Sequence, residues 1–235
     1  MSFIITVYTN EGIVMASDSR STTSISQLLP NGNIANSFGI QITDTTYKTF
    51  LYDNRIGIST CGAATIQNKP ITGYIERFLI ENEEKKYAVH AVSEALLTYF
   101  SSLSPENDIH FFVAGFDNSD TPIVEQVVTK GTIINPVNMR IKGAVWDGET
   151  DIFARLVNPV ILNNMDGTYR DLVSYPINYE FFTLQDAIDF AEYAIDVTIK
   201  TMKFQNCVKT VGGPIDILVI KPDKAFWIQR KELHA

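Results

Sequence analysis

Short runs of β-branched and aromatic residues, each closed by a turn signal, dominate the first sixty positions. Phe3–Thr9 gives way to Asn10-Glu11-Gly12, and the apolar run resumes over Ile13–Ser19, which predicts an N-terminal hairpin. Tyr47–Tyr52, the turn Asp53-Asn54-Arg55 and Ile56–Cys61 predict a second hairpin that ends at Gly62. Between Arg20 and Thr46 the chain turns to Ser, Thr, Asn and Gly, with Pro30-Asn31-Gly32-Asn33 in the middle. An inserted loop or protruding hairpin at about 21–46 is expected there.

The period then changes. Helices are predicted from about Ala64 to Glu83 and from about Tyr87 to Leu103, where Ala88, Val92, Ala95, Leu96, Tyr99 and Phe100 share one face and Ser104-Pro105 ends the pair. Strands return at Ile109–Phe116 and Ile123–Val128, joined by Asp117-Asn118-Ser119-Asp120, a polar turn without the glycine and distal glutamate of a calcium loop. A third helix is expected over Glu149–Val157, stopped by Pro159, and residues 163–176 read as irregular. Thr183 and Asp186 have capping-box spacing and open the clearest helix, with Leu184, Ile188, Ala191, Ile195, Ile199 and Met202 on one face. Val211-Gly212-Gly213-Pro214 leads into the strand Ile215–Ile220, followed by Ala225–Gln229. Paired strands alternating with helices exclude a doubly wound parallel sheet. They predict an α+β fold, two stacked antiparallel sheets with helices outside, as a single domain over residues 1–235.

Composition narrows the function. Of 235 residues 45% are hydrophobic, enough for a sizeable core, and the net charge of -8 argues against a surface that tracks phosphates, so nucleic acid is not an expected partner. The longest apolar runs, such as Ile217–Ile220, fall far short of the ~20 residues of a bilayer helix, and no basic region precedes Phe3 as in a secretory signal, so no membrane association and a cytoplasmic location are expected. Cys61 and Cys207 are too few for a disulfide framework or a structural zinc site and read as small core residues. His90, His110 and His234 are scattered without ligand spacing and read as solvated or satisfied histidines. No G-x-S-x-G elbow, Walker pattern or dinucleotide fingerprint occurs.

Candidate chemistry lies at the start of the chain. Ser2 directly precedes a strand, and removal of Met1, which a small second residue permits, would put a hydroxyl and a free α-amine on one residue. An α-amine with a pKa of about 7.7–8.0 can accept the hydroxyl proton near neutral pH. Ser2 lies sixteen positions before Asp18, which sits in Ala16-Ser17-Asp18-Ser19-Arg20, and Lys48 lies fourteen positions before Gly62, in Tyr47-Lys48-Thr49-Phe50 and Ile56-Gly57-Ile58-Ser59-Thr60-Cys61-Gly62. Both blocks and both spacings resemble the proteasome β-type subunits and the bacterial proteasome-like peptidases, including the ancestral β subunits. Weaker similarity runs on through Phe112–Phe116, Trp146-Asp147-Gly148 and Gly212-Gly213-Pro214.

The resemblance implies the N-terminal nucleophile hydrolase fold, a four-layer αββα sandwich of two antiparallel sheets flanked by helices. It implies cleavage of peptide bonds with Ser2 as nucleophile, Asp18 and Lys48 as a charged pair beside it and the Gly62 amide in the oxyanion hole, without cofactor or metal. It also implies a homo-oligomer, ring or spiral, acting on peptides or proteins, with an ATP-dependent partner unspecified. Tyr74, Phe78, Tyr99 and Phe100 are then either subunit-contact anchors or packing for the chain's own sheet. This chain departs from the family in its serine nucleophile, in its long 21–46 segment, in the missing serine near Trp146-Asp147-Gly148, and in Lys209-Thr210-Val211 where the family carries an Asp and a Ser. Those departures keep open an alternative, a non-catalytic proteasome-like subunit with an assembly or binding role.

Overall fold

The computed structural model describes residues 2–28 and 31–233; Met1, Pro30 and His234, on which expectations were placed, lie outside them. The N-terminal hairpin consists of β1 (Phe3–Tyr8) and β2 (Ile13–Ser17), and every residue of both is buried. Burial on both faces explains why these strands read as continuous apolar runs rather than as alternation. β3 (Ser21–Leu28) and β4 (Ile34–Thr43) pair with each other as a separate two-stranded ribbon. β5 (Thr49–Tyr52) and β6 (Ile56–Gly62) form the second hairpin.

The helix expected from Ala64 starts later. Thr65–Ile66 (β7) pairs with Lys69–Pro70 (β8) around Gln67 and Asn68, both at positive φ, and α1 spans Ile71–Asn82. Two left-handed residues break a helical path, and a proline disfavours helical geometry in the residue before it. α2 (Val89–Leu103), β9 (Ile109–Phe116) and β10 (Pro122–Val128) follow close to the expected positions. The turn between the last two closes on the Asp117 carboxylate, which accepts from the Ser119 and Thr121 amides at 2.8 and 2.9 Å.

Two strands of the large sheets were not expected, β11 (Ile133–Pro136) and β12 (Gly143–Gly148), because the first is mostly exposed and the second has glycine at both ends. α3 (Asp151–Val157) is shorter than expected, and the segment read as irregular holds a small exposed ribbon, β13 (Ile161–Asn163) with β14 (Tyr169–Asp171). α4 (Leu184–Phe204) opens on the expected capping box: Thr183 Oγ1 accepts from the Asp186 amide at 3.2 Å, and the Asp186 carboxylate accepts from the Thr183 amide at 2.8 Å. β15 (Asp216–Ile220) and β16 (Ala225–Gln229) close the described chain.

The strands form two five-stranded antiparallel sheets, β12-β1-β2-β15-β16 and β11-β10-β9-β6-β5. Their burial sorts into three layers of core. Phe3, Ile5, Val7, Ala16 and Val219 face outward onto Phe153 of α3 and Ala187, Ala191 and Ile195 of α4. Ile4, Tyr8, Met15 and Leu218 face the other sheet, where they meet Cys61, Phe112 and Ala114. A Cβ on Gly57 would lie 2.4 Å from Met15 Sδ, so the sheets approach closely there. On the far side Ile58, Phe111 and Val113 pack under Phe78 of α1 and Val92, Leu96 and Phe100 of α2. The order of layers is α, β, β, α. Phe78 and Phe100 are therefore core residues and not free contact anchors, while Tyr74 and Tyr99 are only partly buried. Cys207, expected in the core, is exposed; Cys61 is buried.

Candidate active site

The fold brings the start of β1 between the end of β2 and the end of β12. The Phe3 amide donates to Asp18 Oδ1 at 3.0 Å, the Asp18 amide donates to the Phe3 carbonyl at 3.3 Å, and the Glu149 amide donates to the Ser2 carbonyl at 2.8 Å. Ser2 is thus held from both sides, with its own residue 8% exposed. The approach on the β12 side requires glycine: Gly148 has φ +97°, and a Cβ there would stand 1.9 Å from the Ser2 carbonyl oxygen.

Asp18 is fully buried and its carboxylate takes four donors. Oδ1 accepts from Phe3 N and from Lys48 Nζ at 2.6 Å, while Oδ2 accepts from Arg20 N at 3.1 Å and Gly212 N at 3.0 Å. Lys48 reaches it from the residue before β5 and also donates to the Arg20 carbonyl at 2.5 Å. Burial pulls the Lys48 ammonium below its ordinary pKa, and Asp18 opposes that by charge and hydrogen bond. Ser2, Lys48, Thr60, Cys61 and Gly62 line one narrow pocket of about 20 Å³, room for a water molecule or so. Of the expected site residues, Ser2, Lys48 and Gly62 therefore meet at one pocket, and Asp18 lies directly behind it. Roomier hollows, of about 320 Å³ beside Trp146 and about 530 Å³ along α1 and α2, are lined by other residues.

Arg20, Ser19 and the Gly-Gly-Pro stretch lie in the matched motifs, but partners such as Asp44 and Lys231 carry no signal in the linear sequence. Arg20 pairs with Asp44 through Nε and Nη2 at 2.6 and 2.7 Å, and its guanidinium lies so close over Gly212 that a Cβ there would be 2.5 Å from Cζ. Ser19 donates from its amide to the Gly212 carbonyl and from its hydroxyl to the Pro214 carbonyl. The late Gly-Gly-Pro segment thus clamps the Asp18 loop. A second buried pair, Asp216 with Lys231, adjoins the site: Lys231 donates to Asp216 through both its amide and its ammonium, and its Nζ lies 4.3 Å from the centre of the Tyr47 ring. Burial lowers the Lys231 pKa, with the Lys48 charge adding to that effect. Between the sheets Thr49 donates to Ser17 Oγ at 2.8 Å and shares a hydrogen bond with Ser59 at 3.1 Å.

Behind Cys61 lies a further charged cluster. His110 Nδ1 is 2.7 Å from Asp147 Oδ2 and its Nε2 is 3.0 Å from Asp108 Oδ1. The Asp147 hydrogen bond raises the His110 pKa. Burial pushes Asp147 upward, but His110, the Gly148 amide and Gln126 outweigh it and hold that carboxyl below the usual value. Burial and the Asp147 charge push the Cys61 thiol well up.

No protein-family model matches the sequence, and no curated protein matches it. Solved structures do match the fold. A Gly-1 mutant of Anbu from Hyphomicrobium sp. strain MC1 superposes with a TM-score of 0.62 at 12% identity, over 98% of this chain and 86% of that one. Anbu (ancestral beta-subunit) from Yersinia bercovieri superposes with a TM-score of 0.61 at 13% identity, over 96% of this chain and 86% of that one. At such identities the likeness is one of fold: two sheets and their flanking helices arranged as in the proteasome-like ancestral β subunits.

Proposed function

Starting from the fold of a proteasome-like ancestral β subunit, we propose that the chain is an N-terminal nucleophile hydrolase that cleaves peptide bonds with Ser2. The observation that carries this reading is the convergence of Ser2, Lys48 and Gly62 on one pocket with Asp18 bonded to both Phe3 N and Lys48 Nζ. With Met1 removed, the Ser2 hydroxyl adds to the scissile carbonyl while the α-amine of the same residue takes its proton. The proton passes to the leaving amine, an ester to Ser2 forms, and water hydrolyses it with the amine again as base. As an ammonium paired with Asp18, Lys48 lowers the pKa of the neighbouring amine and stabilises developing negative charge. Thr60 N–H points to the Lys48 carbonyl and Ala63 N–H to the Asp108 carbonyl, so strand alternation turns the Gly62 N–H to the Thr60 side, where the pocket opens. That is the direction an oxyanion donor needs.

Intact mass of protein made in a bacterial host, paired with Ser2→Ala, tests the reading. Loss of Met1 and abolition of peptide hydrolysis in the variant are expected. Retained Met1 under active aminopeptidase, or hydrolysis that survives Ser2→Ala, overturns it.

One observation favours a second reading, a non-catalytic subunit. The segment before Gly212 offers no carboxylate to Ser2: Thr210 and Val211 are buried, and Thr210 Oγ1 turns to Met202 Sδ at 4.0 Å. In both readings we propose a homo-oligomer in the cytoplasm, the assembly expected of a chain with the fold of a proteasome-like subunit. No helix of the described residues is long and apolar enough to cross a membrane. A strictly monomeric mass by light scattering across concentrations would overturn the assembly.

A further inference from the structure

Strand pairing unites three residues that the sequence scatters. Cys61 of β6 stands opposite His110 of β9 in the second sheet, and Asp147 lies on β12 at the edge of the first sheet, opposite Ile4. Stacking of the sheets places the Cys61 sulfur, a His110 ring nitrogen and an Asp147 carboxylate oxygen all within 4.8 Å of one another. A tetrahedral ion with metal–ligand bonds of about 2.0–2.3 Å needs ligand atoms roughly 3.3–3.8 Å apart, so small side-chain rotations close the set. The 2.7 Å hydrogen bond between His110 and Asp147 opens as both groups turn onto the ion.

The surroundings are those of a held ligand set. Asp108 accepts from the far nitrogen of His110, which fixes the ring and leaves Nδ1 facing the cluster. Asp147 is held by Gln126 Nε2 at 2.8 Å and by the Gly148 amide at 2.7 Å. Cys61 is buried, whereas the His110 and Asp147 side chains keep 26% and 19% of their surface, so the cluster is open on the histidine side. Sulfur, imidazole and one carboxylate together select a borderline cation over magnesium or calcium, which prefer oxygen sets.

We propose that Cys61, His110 and Asp147 form a site for one divalent cation of the zinc type, with the fourth position left to water. Binding replaces the Cys61 thiol proton with a metal–thiolate bond, and the proton leaves to solvent. Nothing in this site depends on Ser2 being a nucleophile, and its readout is binding alone.

Cobalt(II) serves as the probe, added to the full chain in a Cys207→Ser background so that the exposed thiol cannot contribute. Saturation at one cobalt per chain is expected, with a near-ultraviolet thiolate-to-metal band and visible bands of tetrahedral intensity, all displaced by zinc. The thiolate band should vanish in Cys61→Ser, and Asp108→Asn, a change at a half-exposed position, should weaken affinity roughly 10–100-fold with unchanged circular dichroism. Absence of the band at one equivalent, its survival in Cys61→Ser, or unaltered affinity in a folded Asp108→Asn protein would overturn the site and leave a hydrogen-bonded ionic cluster.

Discussion

Replacing Asp18 by asparagine probes the electrostatic frame on which the candidate site rests. Its two oxygens take four donors: Phe3 N at 3.0 Å and Lys48 Nζ at 2.6 Å on Oδ1, Arg20 N at 3.1 Å and Gly212 N at 3.0 Å on Oδ2. In Asp18→Asn the amide oxygen serves one pair, and the amide nitrogen then faces the other pair with hydrogens of its own. Leaving one partner of a buried ion pair uncompensated costs about 3–5 kcal/mol, and each buried amide without an acceptor about 1–3 kcal/mol. Terms within one network do not add, so a loss of about 3–6 kcal/mol is expected, a large share of the ~5–15 kcal/mol of a typical domain. Lys48→Met should cost less, about 2–3 kcal/mol, because three backbone amides still hold the carboxylate. The double variant should be more stable than the sum of its parts predicts by about 2 kcal/mol or more. Urea unfolding followed by Trp146 and Trp227 fluorescence, at one fixed subunit concentration, measures all three. A cost below about 1 kcal/mol for Asp18→Asn, or costs that simply add, would refute the reasoning.

Other outcomes follow from particular residues. Gly148→Ala, whose Cβ would stand 1.9 Å from the Ser2 carbonyl oxygen at φ +97°, should destabilise the fold by about 3 kcal/mol or more and abolish hydrolysis; near-native values for both would contradict the Ser2 anchor. Gly73→Ala in α1, where a Cβ meets nothing within 4 Å, should instead stabilise by about 0.5–1 kcal/mol in the same urea assay. Thr183→Ala removes the cap of α4 and should cost about 1 kcal/mol, read as a lower urea midpoint. The Glu125 hydrogen bond raises the His90 pKa above 6.5, so its contribution to stability is present below pH 6.5 and fades as pH rises through the folded value. An imidazole midpoint at or below 6.5 by NMR, or a stability gap to His90→Gln that grows with pH, would contradict that pairing.

The sequence made the two N-terminal hairpins, α2, α4 and the β15–β16 pair legible, because each combines an apolar period with a turn or cap of known chemistry. Pro70 shows why the start of α1 was not: apolar residues from Ala64 onward suit a helix, but backbone turns at Gln67 and Asn68 interrupt it. β12 was missed because its glycines and partial burial conceal a strand that only pairing with β1 stabilises. Ser2 comes beside Asp18 because β1 pairs with β2, and Lys48 comes beside Gly62 because β5 pairs with β6, so the two hairpins bring three of the expected residues to one pocket with Asp18 behind it. The clamp of Arg20 on Asp44, the Asp216–Lys231 pair and the cluster around His110 depend on contacts between distant segments. No local period announces those.

That Ser2 is a nucleophile with its own amine as base is tested most directly by mapping a peptide epoxyketone adduct. The hydroxyl adds to the ketone and the amine opens the epoxide, closing a ring across Ser2 with no atom lost, so the reaction demands both groups free on one residue. One adduct of full reagent mass on the peptide that begins with Ser2, absent from Ser2→Ala and paralleled by loss of hydrolysis, is the predicted result. Modification confined to Cys61 or Cys207, or an unmodified Ser2 in protein that still hydrolyses peptides, would contradict it.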